Sequence, residues 1–174
     1  CRCLANNQNP TLSHPLMTVR LRPHHILCIL TYVGRGYTPE FCRGMTSIVE
    51  RIASGERVLI VRGPDDICAP LVEQVDAHCR DNSALERDAH ASNAIEHLLG
   101  IPAEVGETLT LSQENLFSLS RAFASGQIRR ACAECPWDAL CTHIASQGFD
   151  ATCLRSIMKT KLTPPLETEK RTVE

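Results

Sequence analysis

Hydrophobic positions along the chain recur at two spacings, and the alternation between them lays out the elements. Val19-Arg20-Leu21-Arg22 alternates with period two and predicts a short strand. Pro23-His24-His25-Ile26-Leu27-Cys28-Ile29-Leu30 then opens a buried helix with proline in its first turn, broken by Gly34-Arg35-Gly36-Tyr37. Thr38-Pro39 is a helix start, and Phe41, Met45, Ile48, Val49 and Ile52 follow at helical spacing until Ser54-Gly55, with Cys42 off that stripe. Val58 to Val61 is a β-branched run that stops at Gly63-Pro64. A helix is expected from Ala69 to Ala77, running into His78-Cys79. Ser83-Ala84-Leu85-Glu86 reads as a capping box for another, with Leu85, Ala89, Ile95, Leu98 and Leu99 apolar and Gly100 at its end. Thr108 to Leu111 is extended, and Ser112 caps a helix carrying Leu116, Leu119 and Phe123. A turn follows at Gly148-Phe149.

This order predicts an α+β, mainly α-helical single domain with about five helices and a small β-sheet around Val58 to Val61. The globular part is expected over residues 17–155. Residues 1–16, polar and carrying Cys1 and Cys3, read as a disordered upstream extension, and residues 156–174, rich in prolines and charges without periodicity, as a disordered tail.

Composition changes the picture in three ways. A chain of 174 residues can bury a core without staples, so any metal would be optional for bulk stability. Aromatics at 4% leave the core to aliphatic residues and argue against base-stacking platforms, and a net charge of −2 gives no basic footprint beyond Arg129-Arg130, so nucleic acid is not indicated. Ten cysteines are too many for background. The apolar run Ile26 to Leu30 is far too short to span a bilayer and no secretory leader is recognisable, which points to a reducing cytoplasm, where thiols bind metal, react or lie buried.

The densest chemistry lies in Cys132-Ala133-Glu134-Cys135-Pro136-Trp137-Asp138-Ala139-Leu140-Cys141. The first two thiolates reach one centre from a single turn, and five further residues, with a helical turn after Pro136, return a third to the same side. Three cysteines leave a tetrahedral zinc or a cubane cluster one ligand short. For zinc, His143 or another cysteine would complete the set. For an iron–sulfur cluster, three local cysteines and one remote cysteine are a natural arrangement, and the ligand preference of thiolate sites favours the cluster.

Other residues offer partners. His24 and Cys28 lie four apart, and His25 and Cys28 three apart, so either pair can face one point as metal ligands or a redox-sensitive pair; the alternative is an apolar Cys28 behind solvated histidines. Asp65-Asp66-Ile67-Cys68 follows the central strand. Its carboxylates read as turn and cap residues, or as a group that orients His24 or His25 or serves in acid–base work.

Taken in order, PHHILC (23–28), GRGYTPEF (34–41), GPDDIC (63–68), His78-Cys79 and CAECPWDALC (132–141) resemble the bacterial and archaeal family known as domain of unknown function 1284. The likeness runs from about Leu21 to Phe149. Its members are described as iron–sulfur-binding, which implies an iron–sulfur cofactor here but carries no established reaction. The resemblance further implies a second C-x2-C in some members where this chain has Leu71, which leaves Cys68 and Cys79 as the foremost candidates for the remaining ligand, with Cys28 third. The ten residues from Cys132 to Cys141 are also similar to the iron staple of AddB-type helicase–nucleases, where a distant cysteine completes a [4Fe–4S] cluster.

The expected cofactor is therefore an iron–sulfur cluster, [4Fe–4S] before zinc, on Cys132, Cys135, Cys141 and Cys68 or Cys79, with Trp137 shielding one face. The expected function is electron transfer or redox sensing with a redox or protein partner. The alternatives are a structural zinc module for protein or nucleic-acid interaction, and a metal-dependent enzyme using His24, His25 and Asp65 or Asp66.

Overall fold

A computed structural model describes residues 18–73, 79 and 81–162. Among them the chain runs β1 (Val19–Leu21), α1 (Pro23–Thr31), α2 (Pro39–Ala53), β2 (Val58–Ile60), α3 (Asn82–Leu99), β3 (Thr108–Leu109), α4 (Gln113–Ala124), a short 3-10 turn (Arg129–Cys132), α5 (Asp138–Ser146) and α6 (Cys153–Leu162). The expected class holds: the fold is mainly helical, with one small sheet. Strand β2 is central, parallel to β1 with Val19 opposite Val58 and Leu21 opposite Ile60, and antiparallel to β3 with Val58 opposite Leu109. A parallel pair needs a crossover, and α1 and α2 supply it.

The helices form where capping and pattern agree. Thr38 accepts a hydrogen bond from the Phe41 amide and Pro39 occupies the first turn of α2, whose Met45, Ile48, Val49 and Ile52 are buried. Cys42, three residues before Met45, is buried on the same face instead of lying off it. Ser112 caps α4 through the Asn115 amide, and Leu116, Leu119 and Phe123 face inward. Burial of each such side chain contributes roughly 1.5–3 kcal/mol. The sheet, the inner faces of α1, α2 and α4, and parts of α3, α5 and α6 share one core.

Three expectations are corrected. Residues 66–73 form successive turns and not the start of a helix at Ala69, because the Asp65 carboxylate takes the Ile67 and Cys68 amides and Pro70 brings no N–H of its own; residues 74–78 lie outside the described residues. Helix α3 begins at Asn82 and not behind a Ser83 cap, since the Asp81 carbonyl accepts from Ala84 and Leu85; Ala89 is exposed, and the inward stripe is Ala84, Ala91 and Ile95. Helix α6 carries order past residue 155 to Leu162, held by the burial of Leu154 and Ile157. Residues 1–17 and 163–174, which include the expected extension and most of the expected tail, lie outside the described residues.

Candidate functional site

Helix α1 carries chemistry on one face only. Ile26, Leu27, Ile29 and Leu30 are buried, and Cys28 is open to a cavity of about 770 Å³. The cavity is walled by α1, the turns after Asp65, the first turns of α3 and the segment from Ala131 to Cys141.

Cys132, Cys135 and Cys141 line it together. The Cys135 amide donates to the Cys132 carbonyl at 3.1 Å, closing the knuckle, with Glu134 at φ 58° in the left-handed region. Arg129 then braces the loop: it pairs with Asp138, donates to Thr142 Oγ1 at 2.7 Å and lies 4.7 Å above the Phe123 ring, so the 3-10 turn and α5 are held at a set separation. Thr31 Oγ1 lies 3.2 Å from Cys141 Sγ, which brings the end of α1 onto the third cysteine. Tyr37 stacks edge-on against Trp137 at 5.5 Å on the rim.

Electrostatics tie Cys28 to this group. Cys28 is exposed to the cavity yet ringed by protein, and desolvation first, then the fields of Cys132, Cys135 and Cys141, push its thiol well above the ordinary range. Burial likewise pushes Cys132 up to about 11, against the pull of Arg129 and with the push of Cys135 and Cys141. Cys141 is raised by burial, with Thr31 opposing. Four thiols thus face one space, and burial holds Cys28, Cys132 and Cys141 among them in the neutral form. Iron or zinc would supply the positive charge that thiolates need there. The donor set therefore fits a thiolate-bound metal group.

Cys68 and Cys79 line the same cavity; burial first, then Asp65 and Cys79, raise the Cys68 thiol. Asp65 holds this end in place. Its Oδ2 accepts from the Arg22 amide at 2.8 Å and from His25 Nδ1 at 2.7 Å, and its Oδ1 accepts from the amides of Ile67 and Cys68 at 3.0 Å each. Burial alone would raise its carboxyl, but the imidazole of His25 and these amides hold it down at about 2. Asp66 instead accepts from the Arg20 amide, a link to β1 that leaves it outside the cavity lining. His143 is exposed on α5 and does not line the cavity.

Two residues that sequence reasoning passed over complete the site. Asp88 Oδ1 accepts from His24 Nδ1 at 2.6 Å, and its Oδ2 receives Arg22 Nη2 at 2.6 Å and Nε at 2.9 Å. Arg22, 1% exposed, also donates to the Cys79 carbonyl at 2.6 Å. Burial, opposed by Asp88, lowers His24 to about 4, so its ring is neutral near pH 7 and donates its one proton to that carboxylate. The signal was faint: Asp88 lies four residues after Ala84 and three before Ala91, on the inward stripe of α3.

Among the described residues, the group of three or more donors drawn within 4.8 Å of one another is His25, Asp65 and Cys68. The four sulfurs of Cys28, Cys132, Cys135 and Cys141 are set wider than that. No helix among the described residues is long and apolar enough to cross a membrane.

A family model described as Protein of unknown function (DUF1284) matches residues 36–141. Neither the curated proteins nor the solved structures contain a match to this chain.

Proposed function

The chain belongs to the family described as Protein of unknown function (DUF1284), and from that premise we propose that it is an iron–sulfur protein whose cluster sits on Cys28, Cys132, Cys135 and Cys141 and serves electron transfer or redox sensing. The observation that carries this reading is the convergence of four thiols, one from α1 and three from the 132–141 segment, on one cavity. Cys28 stands here as the remote ligand, ahead of Cys68 and Cys79, because the thiols whose fields it feels most are the other three. Spacing favours a cluster over a single zinc. Four thiolates at about 2.3 Å from zinc lie about 3.8 Å apart at the tetrahedron's edges, whereas the cubane holds its cysteines farther apart.

A bound [4Fe–4S] cluster would supply one-electron transfer at a potential set by burial and by hydrogen bonds to its sulfurs. Thr31 offers such a bond to Cys141, and Leu27, Leu140 and Trp137 line the cavity with apolar surface that limits water. Arg129 fixes the separation of Cys132 and Cys141 by bracing the loop between them.

The test is iron, sulfide and the visible spectrum of protein purified without oxygen. Brown protein with equal iron and sulfide is expected, lost in Cys28→Ser and Cys132→Ser and kept in Cys68→Ser. Loss in Cys68→Ser with retention in Cys28→Ser would move the fourth ligand to the Cys68–Cys79 pair. Colourless protein holding stoichiometric zinc would replace the redox role with a structural module.

A further inference from the structure

At about 770 Å³ the cavity has the size of a small-molecule site, and Cys28 and the knuckle supply only part of its wall. We propose that it binds a small organic anion, whose charged group meets Arg87 and Arg35 and whose body lies on the aromatic wall formed by Tyr37, Phe41 and Trp137.

The two arginines line the cavity with charge left over. Arg87 is half-buried on the first turns of α3, and its one partner among the described residues is the Glu134 carbonyl, which Nη2 reaches at 3.4 Å. Arg35 has no partner among them. The carboxylates of the lining do not answer these charges: Asp138 pairs with Arg129, and Glu134 is exposed and makes no ion pair among the described residues. Arginine keeps its charge at any working pH, and its planar fork suits a carboxylate or phosphate through two parallel N–H bonds.

Tyr37 ties both arginines to one mouth. It lies two residues after Arg35, its hydroxyl sits in the field of Arg87, and its ring meets Phe41 at 5.3 Å and Trp137 at 5.5 Å, edge-on in both cases. The loop that carries Arg35 is seated directly on Phe41, because a Cβ at Gly36 would collide with that ring. Deeper in the cavity His24 and His25 each spend one ring nitrogen on Asp88 and Asp65. The other nitrogen of each has no partner among the described residues, and no buried side-chain nitrogen there is left without one, so both meet open space. They offer hydrogen bonds to a second polar group on the ligand. The site takes no ligand atom from the four-cysteine group and does not depend on the cluster reading.

The experiment is equilibrium dialysis of the full chain, purified without oxygen, against benzoate and benzamide, which share a shape and differ in charge. Saturable binding of one benzoate per chain is expected, with benzamide bound at least tenfold more weakly. Arg87→Gln should weaken benzoate at least tenfold and Arg35→Gln should weaken it too, while Arg62→Gln, at an exposed arginine outside the cavity lining, should leave it unchanged. Unmutated protein gives a reading free of folding effects: the fluorescence of Trp137, the one tryptophan of the chain, should change with benzoate over the same concentration range. The proposal is overturned if no benzoate binds, if benzamide binds as tightly, or if Arg87→Gln leaves the affinity intact. Iron is measured on the same samples: brown protein that ignores benzoate overturns this proposal alone, and colourless protein that binds it supports the proposal while the cluster reading falls.

Discussion

Thr31 Oγ1 sits 3.2 Å from Cys141 Sγ although the two residues are 110 positions apart. This bond joins the last turn of α1 to α5, and the same hydroxyl reaches the Cys28 carbonyl at 3.4 Å. It therefore touches both the remote cysteine and the third member of the local trio.

Thr31→Val should remove the bond with little change in shape. A hydrogen bond of about 1 kcal/mol corresponds to about 40 mV for one electron, and its loss makes the sulfur richer in electrons, so a cluster potential should fall by that order. In metal-free protein the Cys141 thiol should rise further and alkylate more slowly. Redox titration and a cysteine-labelling time course read the two effects, and an unchanged rate at Cys141 would remove the bond from the account.

Arg22 and Asp88 should behave as a buried pair whose halves need each other. Arg22→Met strands a carboxylate in a site where it is only 13% exposed, at a cost of about 3–5 kcal/mol, while Arg22→Met/Asp88→Leu should recover much of that loss. Urea unfolding of the two variants decides it. Equal destabilisation in both would mean that the ion pair is not what holds α1 against α3.

Acid should weaken the fold in two steps. His24 drops from 6.5 to about 4 in the folded chain, so between those values the unfolded state binds the extra proton; stability is full above pH 6.5 and falls by about 3 kcal/mol as pH drops through 4. Asp65 drops from 3.8 to about 2, and its share, about 2 kcal/mol, is lost between those values. Denaturation midpoints from pH 7 to pH 2.5 should show both slopes in metal-free protein, with the upper one absent in His24→Gln.

Glu134→Gly should stabilise the metal-free chain by about 1 kcal/mol, because φ 58° crowds a side chain that glycine lacks. Glu134→Ala, which keeps the Cβ, should give no gain. Thermal melts of the pair separate relief of the backbone from loss of the carboxylate.

Much of the scaffold was legible because local signals agreed. Thr38 and Ser112 cap the helices they announce, and the run at Val58 becomes the central strand. The segment after Cys68 does not start the helix expected from Ala69, because Pro70 has no N–H to give and the Asp65 carboxylate captures the turn before it. The site was harder. Cys132, Cys135 and Cys141 announce themselves by spacing, but Cys28 hides in an apolar helix where a small thiol reads as core. Asp88 gives no signal beyond its place on the α3 stripe and Arg22 reads only as the end of an alternating strand, since periodicity does not say that two charges will be buried against each other. Such pairings belong to the tertiary fold and leave no local trace.

The distance along the chain between Cys28 and the knuckle at Cys132 has a consequence for biosynthesis. Translation delivers α1 long before the knuckle exists, and closing so long a loop is slow compared with forming either helix. A nascent chain therefore carries Cys28 without its three partners from the knuckle through most of its synthesis and gains the set of four only after Cys141 has been made. Loading of any metal group there must come last, as the event that marks a correctly closed chain.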